Sequence, residues 1–178
     1  MEIGEQENTG ELTQRLAALA GDVLLEAVEE IAEGRVRWRE QDHSRATVAA
    51  KISRDDAQID WTETATSCMR RVHAMAPQPG AFGRLLDGRG EATDLRIVRA
   101  RALEAGQEEA PEPGVVRLAD GSDAPPLRIG TGEGWLVPLE VQRPGGKVMD
   151  PAAFLRGNPL EAGSRFATHP GARGSEHP

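Results

Sequence analysis

Arginines concentrate in one part of the chain, and a cluster of guanidinium groups is suited to binding phosphates. Residues 64–103 contain seven arginines and three acidic residues, a local charge of +4. A guanidinium presents a planar fork of donors that matches the oxygens of a phosphate. Arg70 and Arg71 lie next to each other on a predicted helix within this window. An alternative stays open, because both could instead form surface ion pairs with Asp55, Asp56 or Glu63.

The overall charge of −8 hides a strong asymmetry along the chain. Residues 1–33 hold nine acidic residues and one base, Arg15, which accounts for the whole net charge. The remaining residues contain 20 bases and 20 acids. Because charge is distributed so unevenly, the low isoelectric point does not exclude a nucleic-acid partner.

The other reactive side chains predict neither a catalytic centre nor a metal site. The single cysteine, Cys68, excludes an internal disulfide and is expected to be a buried thiol on a helix face. His73 is expected on a helix surface or in an interface. The glycine-rich run at 130–134 lacks the Gly-Lys-Ser/Thr ending of a phosphate-binding loop, so we read it as a tight hairpin turn.

Hydropathy predicts a protein of the cytoplasm. The chain has no run of eighteen apolar residues and no basic-then-apolar leader. We therefore expect neither a membrane span nor a signal peptide, and a cytoplasmic location follows by default.

A long amphipathic helix is predicted before the arginine-rich window. Asn8 and Glu11 have the spacing of a capping box, and apolar residues recur at helical intervals from Leu12 to Ile31, up to a stop at Gly34. The apolar stripe needs a partner surface, and the rest of the chain offers no obvious one. Beyond the helix, Arg35–Arg39 alternates basic and apolar residues, which predicts an extended segment with Val36 and Trp38 facing protein and three arginines facing out. The arginines are interpreted as a solvated strand edge, with a nucleic-acid contact as the alternative.

The stretch Lys51–Trp61 is predicted to join this helix to the rest of the chain. Ser53 is placed to cap a short helical turn, with Asp55 and Asp56 near its positive end. Asp60 is predicted to cap a second helix with Cys68, Met69, Val72 and Met75 on one face.

A small barrel or sandwich is predicted after the turn Pro77–Gly80. Turn signals separate five short strand candidates: Ala81–Leu86, Asp94–Ala102, Gly114–Leu118, Pro126–Ile129 and Gly134–Val141. In the second strand Leu95, Ile97, Arg99 and Arg101 nominally share a face, unless a bulge shifts the pattern. Residues 104–113 are expected to form an exposed loop, Asp150 to cap a short helix running from Pro151 to Gly157, and residues 167–178 to be disordered.

Several motifs in order resemble methionyl-tRNA formyltransferase over residues 3–166. They are Lys51-Ile52-Ser53, Asp56-Ala57, Ile59-Asp60-Trp61, Arg70-Arg71-Val72-His73-Ala74, Pro77-Gln78-Pro79-Gly80-Ala81, Gly130-Thr131-Gly132-Glu133-Gly134, Leu139-Glu140-Val141-Gln142, Pro144-Gly145-Gly146-Lys147 and Met149. In that family the pattern marks the linker, the C-terminal domain and its lysine-bearing loop.

The resemblance implies an α+β, mainly β fold. It is a small OB-like barrel preceded by an amphipathic helix left over from a doubly wound α/β catalytic domain. The expected divisions are 1–45, the catalytic-domain remnant; 46–61, the linker; 62–166, the OB-like domain; and 167–178, the tail. The family's catalytic asparagine, histidine and aspartate and its Ser-Leu-Leu-Pro loop have no counterpart here, so the chain alone is expected to be inactive.

The resemblance also implies partners and binding residues. The family moves a formyl group from 10-formyltetrahydrofolate to the methionyl amine of initiator tRNA, and this chain is expected to bind no cofactor itself. Its expected partners are initiator tRNA and the missing catalytic domain. Lys51, Arg70, Arg71 and Lys147 are the candidate tRNA-backbone contacts, of which Lys51 and Lys147 match family lysines best. The alternative is a free-standing RNA-binding or protein-interaction module, or an acidic scaffold without an RNA role.

Overall fold

The computed structural model describes residues 1–88, 91–106, 112–118 and 125–168. Three helices precede or flank one antiparallel sheet: α1 is Thr9–Ala32, α2 is Ala65–Met75 and α3 is Pro151–Gly157. The strands are β1 Phe82–Leu86, β2 Ala92–Leu103, β3 Val116–Leu118, β4 Leu127–Gly130, β5 Trp135–Gln142, β6 Val148–Met149 and β7 Arg165–Phe166.

The strands form a nearly closed barrel. Their order is β3-β4-β5-β2-β1-β7, and β6 pairs with β5 beside this path. A bridge between Val115 and Arg165 connects the two edges, and the Phe166 amide donates to the Gly114 carbonyl at 2.7 Å. The prediction of an α+β, mainly β chain with a small barrel is therefore confirmed. β6 and β7 were not predicted.

The core lies between α2 and the inner face of the barrel. Trp61 and Phe166 meet at its centre with ring centroids 4.9 Å apart, and both are fully buried. Cys68, Met69 and Val72 of α2 are buried against the same cluster, as their helical spacing predicts. Burial raises the pKa of the Cys68 thiol to about 12, with smaller contributions from Asp60 and Glu63, so this thiol is an inert core group.

A bulge in β2 decides which side chains face the core. The pairing of β2 with β5 shifts between Ile97 and Ala100. Leu95 and Ile97 point inward, and after the shift Ala100 is buried instead of Arg99. The bulge that the sequence allowed for is therefore present, and the Arg99 side chain is only partly buried.

α1 contacts the barrel through its first turn. Asn8 and Glu11 form the predicted capping box. The Gly10 amide donates to the Ala76 carbonyl at 3.2 Å, and the Thr9 hydroxyl donates to the Ala74 carbonyl at 2.7 Å. Arg99 of β2 pairs with the Glu11 carboxylate at 2.5 Å. These contacts attach the N-terminal end of α1 to α2 and β2.

Beyond its first turn, α1 leaves the apolar stripe predicted from Leu12 to Ile31 largely exposed to solvent. Among the described residues, the helix has no buried side chain. Its large apolar side chains are 48% to 66% exposed: Leu16, Leu19, Val23, Leu24, Leu25, Val28 and Ile31. Contiguous apolar surface of this kind is uncommon on monomeric proteins and indicates an interaction face.

Two local predictions are wrong. Asp60 does not cap α2; its carboxylate accepts from the amide and hydroxyl of Thr62 in a tight turn, and Thr64 caps the helix through the Ser67 amide. Trp38 does not face protein, since it is 83% exposed, whereas Val36 of the same segment is partly buried. Arg35 of this segment contacts the end of α1, where its amide donates to the Glu30 carbonyl at 2.9 Å and its side chain pairs with Glu33, and these contacts leave Trp38 uncovered. The predicted α3, with Asp150 as its cap and Pro151 at its start, is confirmed. The predictions for 104–113 and 167–178 fall largely outside the described residues.

Candidate nucleic-acid interface

A short helical turn, Asp55–Ala57, positions the segment that carries Lys51. Ser53 and Asp56 stabilise the turn reciprocally: the Asp56 carboxylate accepts from the Ser53 amide and hydroxyl, both at 2.7 Å, and the Ser53 oxygen accepts from the Asp56 amide at 3.3 Å. These bonds, the amide first, lower the pKa of Asp56. Lys51 lies just before the turn in an exposed, extended segment, where its ammonium group is available to a partner.

Arg70 and Arg71 lie on different sides of α2. Arg71 donates to the backbone carbonyl of Asp56 at 2.6 Å, so it is tied to the Asp55–Ala57 turn. Arg70 is exposed and lines a cavity of about 530 Å³ between α2 and the segment that leads into α1. The structure therefore associates Arg71 with the Lys51 segment and places Arg70 on another surface.

Lys147 lies in the loop that joins β5 to β6. Gln142, at the end of β5, closes this loop by donating its side-chain amide to the Gly146 carbonyl at 2.8 Å. The preceding turn is fixed by the Gly146 amide, which donates to the Arg143 carbonyl at 2.9 Å. Lys147 is exposed on this ordered loop.

A groove between the turn and this loop contains arginines that were not predicted as contacts. We call it the arginine groove; its volume is about 510 Å³. Arg54 comes from the turn, Arg96 from β2 and Arg143 from the β5–β6 loop. Their proximity depends on the register of β1, β2 and β5, which spacing along the chain cannot reveal.

His73 of α2 is held by a hydrogen bond to the barrel. His73 is buried, and its Nε2 lies 3.0 Å from the Ala100 carbonyl. Because a carbonyl only accepts, Nε2 carries the proton in this bond. Burial lowers the pKa of His73. Within the described ranges no three His, Cys, Asp or Glu residues are arranged to hold a metal ion, and no helix there is long and apolar enough to cross a membrane.

Comparisons with known proteins agree with the fold. A family model described as formyl transferase, C-terminal domain, matches residues 51–159. The chain is 37% identical to the methionyl-tRNA formyltransferase of Ralstonia pickettii (strain 12J) over 167 residues, 93% of this chain and 48% of that protein. It is 36% identical to the methionyl-tRNA formyltransferase of Methylococcus capsulatus (strain ATCC 33009 / NCIMB 11132 / Bath) over 166 residues, 93% of this chain and 50% of that protein. The chain thus spans about half the length of the curated relatives it matches.

Solved structures of HypX from Aquifex aeolicus share the fold. One variant superposes with a TM-score of 0.64 at 21% identity, covering 87% of this chain and 27% of that chain. HypX in complex with tetrahydrofolic acid gives a TM-score of 0.56 at 23% identity, covering 83% of this chain and 26% of that chain. The family match extends over more than half of the chain and begins at Lys51, three residues before Arg54. The chain therefore belongs to the formyl transferase family, and its match to the family's C-terminal domain extends over residues 51–159.

Proposed function

We propose that this chain supplies the tRNA-backbone-binding part of a methionyl-tRNA formyltransferase. That enzyme transfers a formyl group from 10-formyltetrahydrofolate to the amino group of methionyl initiator tRNA in translation initiation, a cytoplasmic process. The observation that carries the proposal is the match of 93% of the chain to about half of such enzymes. The basic groups around the Asp55–Ala57 turn and the β5–β6 loop support a role in binding phosphates.

Catalysis in this proposal comes from groups outside these 178 residues. The family's catalytic asparagine, histidine and aspartate have no counterpart here, and His73, which lines the cavity beside α2, is hydrogen-bonded to the Ala100 carbonyl. The formyl donor is therefore assigned to the catalytic half.

The exposed stripe of α1 supports a catalytic domain as a further partner. Residues 1–45 would then be the last part of that domain, residues 46–61 the linker, residues 62–166 the OB-like domain and residues 167–178 a tail. A free-standing RNA-binding or protein-interaction module explains the stripe less well, because an independent module gains nothing from seven half-exposed apolar side chains.

Titration with initiator and elongator tRNA tests the proposal. We expect the 178-residue chain to bind both with dissociation constants of roughly 10⁻⁴ to 10⁻⁶ M, weakening steeply with salt, as backbone binding does. Replacing Lys51 and Lys147 together by Ala should weaken binding and reduce the salt dependence. The matched control replaces the same number of basic residues, Arg35 and Arg37, by Ala in the segment that follows α1.

Two results would contradict the proposal. One is binding that does not change with salt or with the Lys51 and Lys147 replacements. The other is turnover of 10-formyltetrahydrofolate by the chain above a no-protein control, because that would place catalytic groups within it.

A further inference from the structure

We infer that the arginine groove is a phosphate-binding site for the tRNA backbone, with Arg96 as its fixed cation. This inference rests on the proposed function and adds residues to it that the family resemblance did not supply. Three arginines and one aspartate, Asp94, line the groove, a local charge of +2. Lys51 lies three residues before Arg54, and Lys147 lies in the same β5–β6 loop as the lining residues Arg143 and Gly145; both lysines are exposed.

Arg96 is held in place from two sides. Gly80 lies directly beneath its side chain: a Cβ at position 80 would be 2.5 Å from Nε and 2.6 Å from Cδ of Arg96. The φ of Gly80 is +83°, a conformation that favours glycine. On the other side, Arg96 donates to the side-chain oxygen of Gln142 at 3.0 Å. An arginine fixed in this way loses little rotamer entropy when it binds a phosphate.

Gln142 links the fixed arginine to the lysine loop. Its oxygen accepts from Arg96, and its amide donates to the Gly146 carbonyl, next to Lys147. One side chain therefore sets the position of Arg96 and the position of the loop. Gln142 is a positioning residue, and phosphates spaced along one strand would meet both cations in a defined arrangement.

Arg54 forms the movable wall of the groove. Its side chain is 77% exposed, lies 5.2 Å above the centre of the Phe82 ring and pairs with Asp94 at 3.0 Å. Ion pairs with this exposure contribute little to stability, so a phosphate can replace the carboxylate as the partner of Arg54 at small cost.

The shape of the groove favours a polynucleotide backbone over a free nucleotide. Arg54 covers Phe82, which is the aromatic ring among the groove's lining residues, so no base can stack there without displacing it. The groove lies between the turn, which contributes Arg54 and Ala57, and the loop, which contributes Arg143, Pro144 and Gly145. A continuous strand can pass through it and contact Lys51 and Lys147 as well.

Binding of initiator tRNA by charge-removing variants tests the inference. Arg96→Met keeps an apolar side chain over Gly80 and removes the charge. Arg54→Met removes the charge at an exposed position, where the substitution does not endanger folding. Each should weaken binding about 8-fold at 0.1 M salt and lower the slope of log K against log salt by about 0.9, the effect of one lost duplex phosphate contact. Arg117→Met on β3 is the matched control and should change neither value.

The outcomes separate this inference from the proposed function. If the chain binds tRNA through Lys51 and Lys147, but both groove variants behave like Arg117→Met, the groove assignment is overturned and the proposed function stands. If the unaltered chain binds no tRNA, both fall. Arg96→Lys keeps the charge but not the planar fork of guanidinium donors. If it restores the slope of log K against log salt and gives an affinity between those of Arg96→Met and the unaltered chain, the result supports a phosphate contact that uses both properties of Arg96.

Discussion

Truncation of Phe166 tests whether β7 closes the barrel. Phe166 is fully buried, packs on Trp61, and follows the family-matched segment along the chain. Removing a buried phenylalanine ring costs about 3–5 kcal/mol, a large part of the roughly 5–15 kcal/mol that stabilises a typical domain. With a urea slope of about 2 kcal/mol/M, the unfolding midpoint of Phe166→Ala should fall by about 1.5–2.5 M.

Urea unfolding followed by tryptophan fluorescence measures this shift, because Trp61 reports on the core directly. The control is Leu118→Ala on β3, where the side chain is 42% exposed; it should change the free energy of unfolding by no more than about 0.5 kcal/mol. A midpoint shift below 0.5 M for Phe166→Ala would refute the role of β7 in closing the core.

Two further predictions follow from α2 and α1. The pKa of His73 is lowered mainly by burial, against its hydrogen bond to Ala100, so the unfolded chain binds this proton more readily. The contribution of neutral His73 to stability is therefore complete above its ordinary pKa of 6.5 and is lost as pH falls from 6.5 toward the lower pKa of the folded state. Thermal unfolding measured between pH 7.5 and 5 should show this loss of stability, and the loss should be smaller in His73→Gln. The pKa values of Glu7, Glu11 and Asp56 are also lowered, but these carboxylates change stability only below their ordinary pKa values, 4.5 for the two glutamates and 3.8 for Asp56. The apolar stripe of α1 should drive self-association, because covering half of each exposed Leu, Val or Ile side chain gains roughly 1 kcal/mol. In sedimentation the unaltered chain should associate, and a variant with Leu19 and Val23 replaced by Gln should be monomeric. If the unaltered chain is equally monomeric, this prediction is contradicted.

Features set by neighbouring residues were predictable from the sequence. The capping box of α1, the apolar face of α2 and the Asp150 cap of α3 depend on contacts within four residues. The five strand candidates were found because turn residues separate them. The error at Asp60 has the same local origin, since Asp60 and Thr64 are both acceptable caps and only the turn that Asp60 makes with Thr62 decides between them.

Features set by strand pairing were not predictable. β6 and β7 contain two residues each, too few for alternation to be visible, and they are strands only because β5 and β1 pair with them. The arginine groove requires the register that places Phe82 opposite Arg96 and Arg96 opposite Gln142. The separation of Arg70 from Arg71 depends on which neighbour each side of α2 contacts, and helical periodicity alone leaves that open.

Ultraviolet crosslinking of the chain to initiator tRNA, followed by mass spectrometry of the linked peptides, tests the central claim most directly. The account predicts crosslinks in residues 51–58, 79–84, 94–96 and 142–147, which surround the arginine groove, and their loss at high salt. Crosslinks confined to α1 and to the β3–β4 hairpin would contradict it.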